Sequence, residues 1–237
     1  PRGGRMAAER RRPPVATAIT LLLSVVVSVA GMLQDPADAI FPVSLRIAVL
    51  YKREVHRLLT YIFFYEDLPS LACGAVIIWY VGGSFEKSAG TAKHCFLTCI
   101  FAILTALLYL LLQAFAPKPS EVEDAKGFLP VAFATLGVTT TRSQMKYSLV
   151  LGIRVPVLLV LWLLLSLSRF VPGSCFLGNL CGFFTGAVFG LRYCSFLDFL
   201  EPVVSKLDQM LPFRLLRKIP GLKYIPASSE ERRALES

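Results

Sequence analysis

The sequence predicts an all-α polytopic membrane protein, a six-helix bundle with an amphipathic cytosolic segment behind it. Three observations predict this. The 237-residue chain is 55% hydrophobic and only 17% charged, with a mean hydropathy of +0.61, whereas a soluble domain is nearer a quarter charged. Its apolar residues fall into long runs separated by polar loops, several of them able to cross a hydrocarbon layer of roughly 30 Å. The net charge of +9 gathers at the two ends. One membrane unit is therefore expected at residues 15–193, between a basic tail at 1–14 and a juxtamembrane segment with a polar tail at 194–237.

In the basic tail, Arg2, Arg5, Arg10, Arg11 and Arg12 stand against Glu9, with Met6 read as the start and residues 1–5 as upstream sequence. Such a tail is a topology signal and a phospholipid contact. No aromatic-plus-basic surface accompanies it, which excludes nucleic-acid binding. The first span is Val15–Leu33, uncharged throughout. Ala37-Asp38-Ala39 resembles a signal-peptide cleavage site, but the apolar run exceeds a signal core of roughly 7–15 residues, so a retained helix is expected. Residues 34–67 form an amphipathic connector, and its Tyr61-Ile-Phe-Phe-Tyr65 run reads as an interfacial anchor.

The second span is Leu68–Ser84 and the third His94–Phe115. After a polar loop ending in the charged stretch Glu121–Lys126 comes the fourth, within Gly127–Arg142. Thirteen residues, Gly127 to Thr139, rise only about 20 Å as a helix, and Gly127, Ala132, Ala134 and Gly137 are small. A short span of small residues faces lipid poorly and packs well at a bundle centre. The fifth span is expected at Tyr147–Leu167, with Arg154 and Pro156 in its first half, and the sixth at Phe176–Tyr193. Beyond it Leu197, Leu200, Val203, Val204, Leu207, Met210 and Leu211 recur at helical spacing beside Lys206, Arg214, Arg217 and Lys218. That pattern suits a helix lying on the membrane surface, with Pro202 in its first turn or at a kink.

Placing both termini on one side collects 17 Lys and Arg there and leaves 7 on the other, with Arg154 inside a span. The termini are therefore expected in the cytosol. The six cysteines (73, 95, 99, 175, 181 and 194) have no metal-ligand spacing and read as buried thiols, Cys194 also as a juxtamembrane lipidation site. No metal and no cofactor are expected.

Two motifs carry a family resemblance. Trp79-Tyr-Val-Gly82-Gly83-Ser-Phe-Glu86-Lys87, followed by Gly90, resembles the end of the second helix of the rhomboid core, and His56–Phe63 resembles the approach to it. In the sixth span Gly178, Gly182, Gly186 and Gly190 repeat every four residues, a face on which two backbones pack closely. With Gly127 and six spans, the chain is similar to the rhomboid superfamily over about residues 15–193. The resemblance implies the fold of an intramembrane serine protease and allows its site to be read position by position.

The family nucleophile lies in a Gly-x-Ser-Gly motif on the fourth span. The motif here reads Gly127-Phe128-Leu129-Pro130, so Leu129 stands in its place. The family base is a His three residues before the glycine that opens a Gly-x-x-x-Gly step; counting back from Gly182 gives Asn179. The two oxyanion donors, counted back from Trp79, fall on Ser70 and Gly74. Leucine has no lone pair, and an amide takes up no proton near neutral pH. Peptide hydrolysis needs an activated nucleophile, a base and oxyanion donors, so the resemblance implies a pseudoprotease.

The implied partners are the lipid bilayer and transmembrane helices of client proteins, bound through the lateral face near the second and fifth spans. The outcome would be retention, trafficking or degradation of clients, and the family suggests the Golgi apparatus or the endoplasmic reticulum. The rival from the enzyme class is a serine endopeptidase with a non-standard dyad, which requires a serine to meet His56 or His94, the two imidazoles of the chain. Both read as structural or interfacial. Ser166, Ser168 and Ser174 read as bonded to the preceding backbone turn. A transporter using Arg154 is the third reading; snorkelling or pairing with Glu86 suits that side chain better. Asn179 is expected to bond across to the fourth span. The glycine face fits an internal contact or a dimer alike, so the oligomeric state is open.

Overall fold

The first helix, α1 (Val15–Leu33), is started by a side chain 70 positions away. Glu86 is fully buried, and its carboxylate accepts the backbone N–H groups of Ala16 at 2.9 Å and Thr17 at 2.8 Å and the Thr17 hydroxyl at 2.7 Å. A helix begins with unpaired N–H groups and a partial positive charge, so a carboxylate there satisfies both. The Thr91 hydroxyl adds a fourth bond at 2.8 Å. Glu86 is thus engaged by α1 and Thr91; the side chain of Arg154, for which the sequence offers snorkelling or pairing with Glu86, lies outside what the structure describes.

The computed structural model describes residues 13–33, 56–116, 123–142, 147–150, 153–208 and 224–226. The basic tail, most of the connector at 34–67 and most of the terminal segment lie outside them. A short helix α2 (Arg57–Thr60) runs into a 3-10 turn at Tyr61–Phe63. Helix α3 (Leu68–Ala89) contains a π turn at Ile78–Gly82 and reaches five residues past the expected end at Ser84. Gly90, at φ 92°, separates it from α4 (Thr91–Phe115), a conformation that costs glycine nothing. α1, α3 and α4 are each long and apolar enough to cross a membrane. Three shorter apolar stretches follow, in α5 (Leu129–Arg142), in α6 (Val157–Leu167) with the 3-10 turn Ser168–Phe170 after it, and in α7 (Phe176–Asp208).

The expected fifth span is shortened at its start. Tyr147–Val150 (β1) and Ile153–Pro156 (β2) form an antiparallel hairpin, with Leu149 opposite Arg154, and the helix begins only at Val157. The cause is Pro156, which has no N–H for a helix interior and pushes the residue before it into extended geometry. Val150, Ile153 and Val155 are β-branched and favour the strand. Arg154 is therefore not an intrahelical charge. α7 passes position 193 without a break, and Pro202 lies inside it.

The core is built around α4 and α5. Phe101, Ala102, Ala106 and Tyr109 of α4 meet Phe128, Val131, Ala132 and Ala134 of the α5 region, all fully or almost fully buried. Tyr61 joins them, donating to the Ala102 carbonyl at 3.2 Å, so the expected interfacial aromatics at Tyr61 and Tyr65 are core residues instead. His94 is buried as well, one turn into α4, with its ring 5.8 Å from that of Phe85. Among the cysteines Cys175 and Cys181 are buried, Cys73 and Cys95 half-buried, and Cys99 exposed on the outer face of α4.

Against α5 lies the glycine face of α7. A Cβ at Gly182 would run into the Pro130 carbonyl, one at Gly186 into the Ala134 carbonyl, and one at Gly190 into Thr141. From the other side, a Cβ at Gly137 would stand 2.8 Å from the Phe183 carbonyl oxygen. Gly178 is looser, 3.3 Å from the Ala125 methyl. The glycine face is therefore used inside the bundle.

Candidate functional site

Two stretches far apart in sequence come together where α3 and α5 begin. The Gly127 N–H donates to the Tyr61 carbonyl at 2.9 Å, and the Phe128 N–H donates to the Tyr65 Oη at 3.0 Å. Lys126 pairs with Glu66 at 2.5 Å on the partly exposed rim, where an ion pair adds little. Tyr65 is itself held by α1, since Ser28 accepts its N–H at 3.0 Å and donates to the Phe63 carbonyl at 3.2 Å. Three elements fix one phenol.

That phenol fills the site. A Cβ at Gly74 would collide with the Tyr65 ring, and one at Gly127 would sit 2.8 Å from its Cε1. Gly127 also has φ 80°, which favours glycine. Burial pushes the Tyr65 hydroxyl up to about 12, against the opposing effect of the Phe128 N–H, so the oxygen is a neutral acceptor at physiological pH.

Ser70 lies on the next turn toward the helix start. It is buried, its hydroxyl has no hydrogen-bond partner among the described residues, and Gly173 approaches so closely that a Cβ there would be 2.9 Å from Oγ. Asn179, fully buried on α7, donates from Nδ2 to Ser174 Oγ at 2.7 Å and to Ser168 Oγ at 3.0 Å, while its Oδ1 has no partner among the described residues. Its bonds thus run to the connection between α6 and α7, not across to α5. Ser168 and Ser166 donate to the Leu165 and Trp162 carbonyls at 2.6 and 2.9 Å, the backbone bonds expected for them. Leu129 begins α5, half-buried.

Chemically, the assembled groups are weak. Leu129 cannot attack a carbonyl, and Asn179 is neutral and engaged. The nearby thiol, Cys175, donates to the Glu123 carbonyl at 3.5 Å and accepts the Gly178 N–H at 3.4 Å, and burial pushes its ionisation up, away from a reactive thiolate. His94 lies at the far end of α3, beside Phe85 and Glu86. The 16 residues from Ser70 to Glu86 put that end about 24 Å away. His56 is exposed. Among the described residues no group of three or more His, Cys, Asp or Glu is placed to hold a metal ion.

The Rhomboid domain family model matches residues 52–196. The chain belongs to the rhomboid family. Among known rhomboids it is 27% identical over 180 residues to Rhomboid-type serine protease 2 of Saccharomyces cerevisiae, covering 74% of this chain and 68% of that protein. It is 28% identical to Rhomboid-like protein 15 of Arabidopsis thaliana over 76% of this chain and 48% of the relative. It is 26% identical to Rhomboid-related protein 4 of Homo sapiens over 75% and 56%. The chain spans about half the length of the last two.

Within the rhomboid frame, Trp79, Gly82, Gly83, Glu86 and Gly90 divide their tasks. Trp79 points outward, half-exposed, and Gly82 and Gly83 lie against Thr17, where a Cβ at either would make ordinary contact at 3.8 and 3.9 Å. Glu86 starts α1 and Gly90 frees Thr91 to start α4. Tyr65 was not visible from the sequence as a site residue. Two glycines, Gly74 and Gly127, on elements that face each other were the signal that something large lies between them.

Proposed function

We propose that this chain is a catalytically inactive rhomboid-like protein that binds transmembrane segments of client proteins and affects their trafficking, retention or degradation. In this reading six segments cross the bilayer, with α5, α6 and the first part of α7 as the short ones and both termini in the cytosol. Leu129, Asn179, Ser70 and Gly74 occupy the positions of nucleophile, base and oxyanion donors. The observation that carries the reading is the filled site: the Tyr65 ring lies on Gly74, and its oxygen holds the Phe128 N–H beside Leu129. Hydrolysis would need that space and that donor for the substrate carbonyl.

Client binding draws on the outer face. α6 packs on α5 and α7 but has no extensive contact with α3. Val76, Trp79 and Tyr80 of α3 and Leu159, Trp162 and Leu163 of α6 are exposed, so both helices offer apolar side chains to a client helix. The Golgi or endoplasmic reticulum is the proposed location.

The test is incubation of the full chain in lipid vesicles with a serine-directed fluorophosphonate probe and a transmembrane reporter substrate. A Leu129→Ser/Asn179→His variant and an active rhomboid run alongside. The natural chain is expected to show neither labelling nor cleavage. Labelling that is lost on replacing one particular serine would overturn the reading and identify a nucleophile.

A further inference from the structure

The chain returns to the bundle after α7. The Thr91 N–H donates to the Ile225 carbonyl at 2.8 Å, and the Ile225 N–H donates back to Thr91 Oγ1 at 3.1 Å. Ile225 and Pro226 are buried and Tyr224 is half-buried. A residue engaged through both its N–H and its carbonyl, with its side chain covered, is held as an added strand is held on a sheet edge. Here the edge is a single residue, made available because Gly90 at φ 92° ends α3 and leaves the first N–H of α4 free.

The same Thr91 hydroxyl donates to Glu86 Oε1 at 2.8 Å, and the Glu86 carboxylate holds the N–H groups of Ala16 and Thr17. Four segments meet in one chain of hydrogen bonds: residues 224–226, the start of α4, the end of α3 and the start of α1. Glu86 is fully buried. A buried carboxylate is tolerable only while its partners stay in place and water stays out. His94, 1% exposed and without a hydrogen-bond partner among the described residues, lies in the same layer, its Nε2 3.8 Å from the Cβ position of Gly82.

We propose that the junction of α3 and α4 is a docking site for an extended peptide, that its occupant is this chain's own Tyr224-Ile225-Pro226, and that the docked segment is a releasable clasp on the start of α1. Docking supplies Thr91 with a backbone partner and covers the Glu86 layer. Release leaves the Thr91 N–H unpaired, admits water to Glu86 and loosens its hold on Ala16 and Thr17. A protein that captures the C-terminal segment would thereby alter the opposite end of the sequence, at the first span, without touching the site near Tyr65. The recognition chemistry is one main-chain residue flanked by apolar side chains, a short Tyr-Ile-Pro type segment.

The experiment compares amide hydrogen exchange of the full chain in lipid nanodiscs with that of Ile225→Asp and Ile225→Ala. Ile225→Asp places a charge in the covered position without altering the bundle itself. Peptides covering residues 13–20 and 90–95 are expected to exchange at least fivefold faster in Ile225→Asp, and by a smaller factor in Ile225→Ala, with residues 130–138 unchanged. Unchanged exchange at residues 13–20 would overturn the clasp. A rise spread equally over residues 130–138 would overturn it too, by making the segment a general stabiliser of the bundle.

Discussion

The ring of Tyr65 lies on Gly74 in the volume that any side chain at position 74 would need. The relationship is one of complementarity, since the loop before α3 supplies the bulk that the helix lacks. It also sets the first prediction. Gly74→Asn should destabilise the chain by about 1–3 kcal/mol through overpacking, and Tyr65→Ala should relieve part of that loss. A double-mutant cycle on thermal unfolding should show a coupling of about 0.5–3 kcal/mol, as expected for residues in contact. Additive effects would place Tyr65 elsewhere.

Tyr65 should also limit any attempt to rebuild a hydrolase. Leu129→Ser/Asn179→His restores a nucleophile and a base, but Tyr65 still holds the Phe128 N–H. Adding Tyr65→Ala to that pair should raise fluorophosphonate labelling of Ser at position 129 at least tenfold over the pair alone. Equal labelling would mean that the phenol moves aside unaided.

The glycine face of α7 predicts a graded series. Gly182→Ala and Gly186→Ala push a methyl into backbone carbonyls of α5, whereas Gly178→Ala meets only a side-chain methyl at 3.3 Å. The first two should each cost about 1–3 kcal/mol and Gly178→Ala clearly less, read as the midpoint of heat-induced loss of the monodisperse peak in detergent.

Removing the acid that starts α1 should be costlier than a surface change. Glu86→Ala leaves Ala16 N–H, Thr17 N–H and two hydroxyls without their acceptor, at about 1–3 kcal/mol for each buried group left unpaired. Glu86→Gln keeps the shape but loses acceptor capacity, and it should fall between. The readout is the yield of folded chain, with exchange at residues 13–20 locating the damage.

Much of the bundle was legible in the sequence because lipid imposes a simple rule: a long apolar run must pair its own backbone. The uncharged run Val15–Leu33 and the run ending at Phe115 end where the sequence places them. The same rule misleads at Tyr147–Leu167, where apolar composition continues across Pro156 but the backbone does not. The α5–α7 contact was legible as a spacing, Gly178 to Gly190 in fours. Its partners, the carbonyls of Pro130 and Ala134, were not, because a backbone acceptor leaves no mark on composition. Tyr65 was read as an anchor for the same reason that any aromatic cluster beside a span is. Only its distance from Gly74 in space, nine residues along the chain, gives it a different task. The bond between Thr91 and Ile225 crosses 134 residues, and no local pattern announces such a pairing.

The unequal lengths of the helices bear on the lipid as well as on the protein. The 25 residues of α4 rise about 38 Å and the 11 of α6 about 17 Å, yet both turn leucines outward. In the six-span reading proposed above, a bilayer wetting both faces would be of ordinary depth on one side and pinched on the other, at fractions of a kcal/mol per Å of deformation. The annulus of lipid would then be part of the molecule's working shape. Under the same proposal, a client helix drifting up to the α6 side would enter a patch too thin for it and expose its ends to water before any side chain of this protein touched it.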